Sequence, residues 1–139
     1  MKTYNVKITG TTALLQHRFD EQTQASLGKS TRTVVRKTET PRKAAERVCN
    51  QDKQGHYYMP SACITRMVSE AGASHKLTGS RKSAKYAVYA AVFIPTETLT
   101  ILNGDGKTPA ADFEVDSRPV VIPSTKGRIM RHRPRFDEW

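Results

Sequence analysis

Apolar and polar residues alternate at the start of the chain. Single polar residues separate Tyr4, Val6 and Ile8, and in an extended strand this spacing places the three apolar side chains on one face. The pattern predicts a first β-strand over residues 3–9. Gly10 interrupts that strand, and the apolar residues 13–15 continue it.

Two segments have the apolar repeat of an amphipathic helix. The first begins at Thr40 and Pro41, which are typical of the N-cap and first position of a helix. Its apolar face carries Ala45, Val48 and Cys49. The sequence therefore predicts a helix that begins at Pro41 and buries this face.

The second amphipathic segment follows Ser61, which we interpret as its N-cap, and Gly72 is a typical C-terminal stop. Ile64, Met67 and Val68 follow the helical repeat along it. These residues predict a second helix that packs on the same core.

The remaining pattern predicts short strands. Residues 55–59 and 98–102 are strand-like, and Asn103 to Gly106 is typical of a turn. The apolar run 87–94 fits a buried strand or a short helix, and its periodicity does not decide between them. The last third predicts a hairpin with arms 113–122 and 128–136. This order predicts one α+β domain over residues 1–139, with an antiparallel sheet backed by two helices.

Residues 18–40 interrupt this organisation. The segment is polar and basic and is longer than an ordinary connection between elements. We interpret it as a flexible basic insertion that is either disordered or functional.

The charge balance indicates the kind of partner. The 139 residues include 23 lysines and arginines against 13 acidic residues, so the net charge is +10; the sequence pI is about 9.9. A pI above about 9 is typical of nucleic-acid-binding domains, because such charge attracts polyanions. The alternative is a solvated basic face that only maintains solubility.

The cysteines and the apolar runs indicate the cellular compartment of the protein. Cys49 and Cys63 both lie in apolar helical patterns, which predicts two reduced core thiols and a reducing environment. The N-terminal residues do not resemble a signal peptide, and no run approaches the ~20 apolar residues of a membrane span. We therefore expect a cytoplasmic protein without a membrane partner.

Basic residues concentrate in three groups, of which the C-terminal one is the most informative. Alternate residues of a strand share a face, so Arg131, Arg133 and Arg135 form a row with a spacing of about 6.6 to 6.8 Å. That spacing is near the distance between phosphates of an extended single strand. The alternative is an edge strand whose charges prevent aggregation. The predicted nucleic-acid contacts are Arg32, Arg36, Lys37, Arg42, Lys43, Lys76, Arg81, Lys82, Lys85, Lys126, Arg128, Arg131, Arg133 and Arg135.

Aromatic residues are interspersed with this charge. Proteins that bind single strands combine a basic groove with rings on which bases stack. Tyr58, Tyr86 and Phe136 are the candidates, and packing in the core is the alternative role for each.

Candidate catalytic chemistry is sparse. The four histidines are scattered, and Cys49, His56 and Cys63 have no familiar zinc-ligand spacing. We expect no metal, no cofactor, no small-molecule substrate and no enzymatic activity. His17 lies near Asp20 and Glu21, which keeps open an alternative in which a histidine base cleaves RNA.

Three segments resemble a known family. KTYNVKITGTTALL, GHYYMPSACITRMVSEAG and VVIPSTKGRIMRHRPRF resemble the first strand, the strand–Pro–Ser–helix element and the basic glycine-containing segments of the RAMP superfamily of Cas7-like RNA-binding proteins. The resemblance implies a ferredoxin-like, RRM-type core with long insertions that grip a nucleic-acid backbone. It also implies head-to-tail assembly along the strand, in a phage or bacterial recombination, replication or defence system.

The sequence thus predicts a sequence-tolerant protein that binds single-stranded DNA or RNA and assembles as a homo-oligomer. Two alternatives remain: a small RNA-processing endoribonuclease on the same fold, and a structural protein whose basic face meets an acidic protein partner.

Overall fold

The computed structural model describes residues 2–19, 24, 39–123 and 125–139. These residues form a mixed α+β protein with three α-helices, a 3-10 helix and two antiparallel sheets, one of three strands and one of two. Internal contacts divide the chain into two compact units, Met1–Tyr57 with Leu102–Trp139, and Tyr58–Ile101. The elements in chain order are β1 (Leu14–Leu15), α1 (Pro41–Arg47), β2 (Tyr58–Pro60), α2 (Ser61–Ala71), the 3-10 helix (Gly72–Ser74), α3 (Lys85–Ala91), β3 (Thr98–Thr100), β4 (Glu114–Val121) and β5 (Arg128–Phe136).

The first unit contains the three-stranded sheet. Its strand order is β1-β5-β4 with antiparallel pairing throughout. The pairing of β4 with β5 confirms the predicted C-terminal hairpin. On the other side of β5, Leu14 pairs with Phe136, and the Gln16 amide donates to the Pro134 carbonyl at 3.0 Å.

Aromatic rings form the core of this unit. Tyr57, Phe113 and Phe136 are buried, and their ring centroids are 5.3 to 6.1 Å apart. Helix α1 packs on β5 and β4 and contributes the fully buried Ala45. Because alternate residues of β5 share a face, the buried Pro134 points to the same side as Phe136.

Helix α1 begins as its sequence predicts. Thr40 is extended at the N-cap, and its hydroxyl accepts a long hydrogen bond from the Lys43 amide at 3.4 Å. Pro41 occupies the first turn, where it has no helical hydrogen bond to lose.

The second unit pairs β2 with β3, with Met59 opposite Leu99. Helix α2 contacts β2 and α3. Ser69 is completely buried, and its hydroxyl donates to the Lys85 carbonyl at 3.1 Å, which ties the start of α3 to α2.

The predicted strand over residues 3–9 was wrong. No strand forms in residues 2–13, and Tyr4 and Val6 are 75% and 76% exposed. Alternation shows which residues would share a face, but a strand also requires a neighbouring strand, and the described residues supply none here.

The apolar run 87–94 forms the second part of a helix followed by extended chain. Helix α3 ends at Ala91, and Val92 is already extended. The alanines in this run favour a helix, because alanine has the highest helix propensity.

Two details of α2 also differ from expectation. Pro60 is its N-cap, and no side chain caps the helix, so Ser61 does not have that role. Ile64 is buried, whereas Met67 and Val68 are 49% and 38% exposed and Cys63 is exposed. The helical repeat placed Ile64 correctly, but the other buried residue of the helix is Ser69, so the predicted face was wrong for Met67 and Val68. Gly72 caps the helix at its C-terminus, as predicted.

Candidate nucleic-acid interface

The arginine row lies on β5. Arg131, Arg133 and Arg135 alternate with His132, Pro134 and Phe136, and the last two are buried in the core. The three arginines therefore share the face of the strand opposite the aromatic core. At Arg135, β5 pairs with Leu15 of β1 on one side and with Glu114 of β4 on the other, so the edge-strand alternative does not describe this end of the row.

Acidic residues lie opposite two of these arginines. In the register of β4 and β5, Arg135 faces Glu114 and Arg133 faces Asp116. Arg135 also donates to Asp137 at 2.7 Å. The row is therefore a surface of mixed charge. Its acidic neighbours could not be placed from sequence, because they depend on the strand register.

Asp116 is the most enclosed of these acids. Its side chain is 8% exposed and accepts from Arg118 Nε at 2.8 Å. Within the described residues, its Oδ2 and Arg133 Nε are buried without a hydrogen-bond partner. Each of these two opposing residues therefore has a polar atom that is withdrawn from solvent without a hydrogen bond.

His17 contacts the same row. Arg131 Nη1 donates to His17 Nε2 at 3.2 Å, since a guanidinium has no acceptor. Burial, followed by the charges of Arg131, Arg133 and Arg47, lowers the pKa of His17. In this geometry Nδ1 carries the proton and Nε2 accepts, so neither nitrogen has a lone pair free to act as a base. Asp20 and Glu21 lie outside the described residues.

The basic residues of α1 have different surroundings. Arg42 donates to the Phe113 carbonyl at 2.7 Å and to Glu46 at 3.1 Å, contacts Asp112, and lies 3.9 Å above the Phe113 ring. These contacts give Arg42 a structural role. Lys43 on the same helix is exposed. Of the other residues predicted with this group, Arg32, Arg36 and Lys37 lie outside the described residues.

A compact hairpin carries the second basic group. The Leu77 amide donates to the Lys82 carbonyl at 3.0 Å, and the Ala84 amide donates to the His75 carbonyl at 2.8 Å. Gly79 lies at the tip with a φ of +71°. Such a φ favours glycine, because a Cβ there is strained. We call residues 75–84 the basic hairpin.

The cations of this group are of two kinds. Lys76, Arg81 and Lys82 are exposed and make no ion pair with any described residue. Lys85 instead pairs with Glu70 at 2.9 Å, which lowers the pKa of the Glu70 carboxyl. The first three cations are therefore available to a ligand, whereas Lys85 has a partner.

The third group extends into the turn between β4 and β5. Lys126 and Arg128 are exposed there. Lys126 has a φ of +57°, a strained conformation for a residue with a side chain. Its amide donates to Ile122 at 2.9 Å, which closes the turn.

The predicted stacking residues separate into three environments. Phe136 is 3% exposed and belongs to the core, so its predicted role in base stacking was wrong. Tyr58 is half-buried in β2. Tyr86 is 77% exposed on α3, and Tyr89 and Phe93 are 60% and 70% exposed. The last two were missed because the run 87–94 was left open between a buried strand and a short helix. The spacing of Tyr86 and Tyr89 is the pattern that indicates a shared helix face.

No group of three or more histidine, cysteine, aspartate or glutamate residues is arranged to hold a metal ion within the described part of the chain. None of its helices combines the length and apolar character needed to cross a bilayer.

Comparison with known proteins finds no match to this chain among family models, curated proteins or solved structures. The resemblance to the RAMP superfamily therefore rests on the sequence patterns, and the proposed function rests on the geometry described above.

Proposed function

We propose that this protein binds single-stranded nucleic acid with little sequence preference. The observation that carries the proposal is the row of Arg131, Arg133 and Arg135 on the face of β5 opposite the core. Arginine suits this role because its planar guanidinium binds phosphate through two parallel hydrogen bonds. The strand spacing lets one extended backbone meet successive side chains.

The overall charge supports the same proposal. A net charge of +10 on 139 residues attracts a polyanion, and each neutralised phosphate releases condensed counterions. Exposed cations with no ion partner in the described residues, such as Lys43, Lys76 and Arg81, add to this attraction. The mixed charge around Asp116 reduces it locally, so we expect Arg131 to contribute more to binding than Arg133.

The proposal also includes a fold type, an assembly and a biological setting. We propose a ferredoxin-like core, assembly of several copies along one strand, and a cytoplasmic role in phage or bacterial recombination, replication or defence. The antiparallel sheet with α1 packed on one face and the family resemblance of the sequence support these features.

Salt titration of binding tests the proposal. The dissociation constant for labelled oligothymidylate and oligouridylate is measured between about 50 and 200 mM salt, the range over which phosphate contacts weaken strongly. For a single strand, the slope of log K against log salt falls by about 0.7 for each phosphate contact removed. We expect Arg131→Ala to reduce the slope by about that amount and Arg135→Ala to reduce it less, because Arg135 already pairs with Asp137.

Lys53→Ala is the matched control, because Lys53 is an exposed cation in the same unit and makes no ion pair with the described residues. Its slope should equal that of the wild type. Arg133→Ala is unsuitable, since it removes the residue opposite Asp116. No binding of either oligonucleotide at about 50 mM salt would overturn the proposal. Unchanged salt slopes in both arginine variants would show that the arginines of β5 do not contact phosphates.

A further inference from the structure

Three large exposed aromatic side chains lie close together in the sequence, two on α3 and one just after it. Tyr86, Tyr89 and Phe93 are 77%, 60% and 70% exposed. Tyr86 and Tyr89 are three residues apart on one helix and so share a face, while Phe93 follows two residues after the helix ends. Single exposed apolar residues are ordinary, but a cluster of large rings is typical of a binding surface.

The charged side chains in the sequence around these rings are all basic. No acidic residue occurs between Glu70 and Glu97. The basic hairpin leads directly into α3 and presents Lys76, Arg81 and Lys82. The surface therefore combines ring faces with cations, and the Glu70 carboxylate beside it is paired with Lys85.

Hydrogen bonds fix the hairpin and the helix relative to each other. The Ser83 hydroxyl donates to the Gly72 carbonyl at 3.1 Å and accepts from the Lys85 amide at 3.1 Å. The Ser69 hydroxyl donates to the Lys85 carbonyl at 3.1 Å. The side chains that would meet a ligand are thus held on an ordered frame, which limits the entropy lost on binding.

We propose that the unit Tyr58–Ile101 carries a second nucleic-acid site, in which unpaired bases stack on Tyr86, Tyr89 and Phe93 while the basic hairpin holds the phosphates. The inference rests on the proposed function and deepens it by specifying the ligand. Stacking requires exposed base faces, which a single strand offers and a paired duplex does not. An acidic peptide has no such faces, so the charge and the rings together favour a single strand.

Binding of oligothymidylate, oligouridylate and a blunt duplex of equal length, measured by fluorescence anisotropy, tests this site. We expect the double variant Tyr86→Ala, Tyr89→Ala to weaken single-strand binding by at least about fivefold for each ring. Duplex affinity and the salt slope should stay at wild-type values, because no charge is removed. The variant Lys76→Ala, Arg81→Ala, Lys82→Ala should instead lower the salt slope.

Two control variants isolate the rings. Tyr4→Ala removes an equally exposed tyrosine, 75% exposed, from the other unit and should bind as the wild type does. Tyr86→Phe with Tyr89→Phe keeps both rings without the hydroxyls and should retain affinity. Loss of affinity in the phenylalanine variant would assign the contacts to the hydroxyls and overturn stacking.

The outcomes separate this inference from the proposed function. Wild-type affinity in the alanine double variant, combined with reduced slopes for Arg131→Ala and Arg135→Ala, would overturn the second site and leave the proposed function standing. Equal weakening for single strand and duplex would also overturn it, because duplex bases cannot stack on the rings. Absence of any oligonucleotide binding by the wild-type protein would overturn both.

Discussion

Arg133 lies directly opposite Asp116 in the register of β4 and β5. Asp116 accepts from Arg118 at 2.8 Å and is nearly buried, while its second oxygen and Arg133 Nε have no hydrogen-bond partner in the described residues. A carboxylate in such a site is stable only with cations nearby. Arg118 supplies a cation by direct contact, so Asp116 serves the fold through Arg118, while its negative charge lies within the proposed binding surface.

Asp116→Asn tests this dual role. The amide keeps the shape of the side chain but removes the charge that pairs with Arg118. We expect the free energy of unfolding in urea to fall by about 1 kcal/mol, because the lost pair joins a nearly buried carboxylate to a largely exposed arginine. Oligonucleotide affinity should rise, because a negative charge leaves the basic face. Asp137→Asn, which removes an exposed partner of Arg135, should change stability less, and an equal loss in both variants would contradict the argument.

His17 predicts a dependence of stability on pH. Burial, Arg131, Arg133 and Arg47 lower the pKa of His17 in the folded state, whereas in the unfolded chain it is about 6.5. The folded state therefore disfavours the protonated form. Its contribution to stability is fully present above about pH 6.5 and is lost as the pH falls from there through the folded pKa.

The measurement is the free energy of unfolding of the wild type and of His17→Asn between about pH 5 and 8, around the unfolded pKa. We expect the wild type to lose stability relative to the variant as the pH falls. His56→Asn serves as a control, since His56 is exposed beside Asp52. Parallel pH profiles for the wild type and His17→Asn would show that this histidine does not sense its arginine neighbours.

Arg42 and Lys43 are adjacent cations with different expected roles. Arg42 bonds to the Phe113 carbonyl and lies over its ring, whereas Lys43 is exposed. Arg42→Ala should lower the free energy of unfolding by about 1 kcal/mol, the scale of a cation–π contact and a partly exposed ion pair. Lys43→Ala should leave stability unchanged and reduce the salt slope of binding. A stability loss in Lys43→Ala alone would reverse this assignment.

The two cysteines should differ in reactivity. Cys49 is buried, its Sγ lies 3.5 Å from Gln16 Oε1, and burial raises its pKa to about 11. A thiol with that pKa is almost entirely protonated near pH 8, and the thiolate is the reactive form. Cys63 is exposed. With a thiol-reactive reagent we expect one rapidly labelled cysteine in the native wild-type protein and none in native Cys63→Ser. The wild-type protein in denaturant should show two. Rapid labelling of native Cys63→Ser would contradict the burial of Cys49.

Local features of the sequence were reliable where the interaction is itself local. Thr40 and Pro41 start α1, Gly72 ends α2, and the C-terminal hairpin forms with the predicted arms. Features that depend on a distant partner were less reliable. The alternation of Tyr4, Val6 and Ile8 met no neighbouring strand, and Cys63 occupies a helical position that no other described segment covers.

The candidate interface divides in the same way. Strand alternation was sufficient to place Arg131, Arg133 and Arg135 on one face. It could not show that Asp116 lies across from Arg133, that Arg42 bonds to Phe113, or that Phe136 is buried, because each of these contacts joins residues that are distant in sequence or depends on burial.

By itself the sequence determined the basic charge, the start of α1, the hairpin and the arginine row, because charge, capping and strand periodicity act between residues close along the chain. Only the tertiary structure decided which cations have partners and which rings are exposed. Register and packing bring distant residues together, and these contacts decide whether a side chain stabilises the fold or remains available to a ligand.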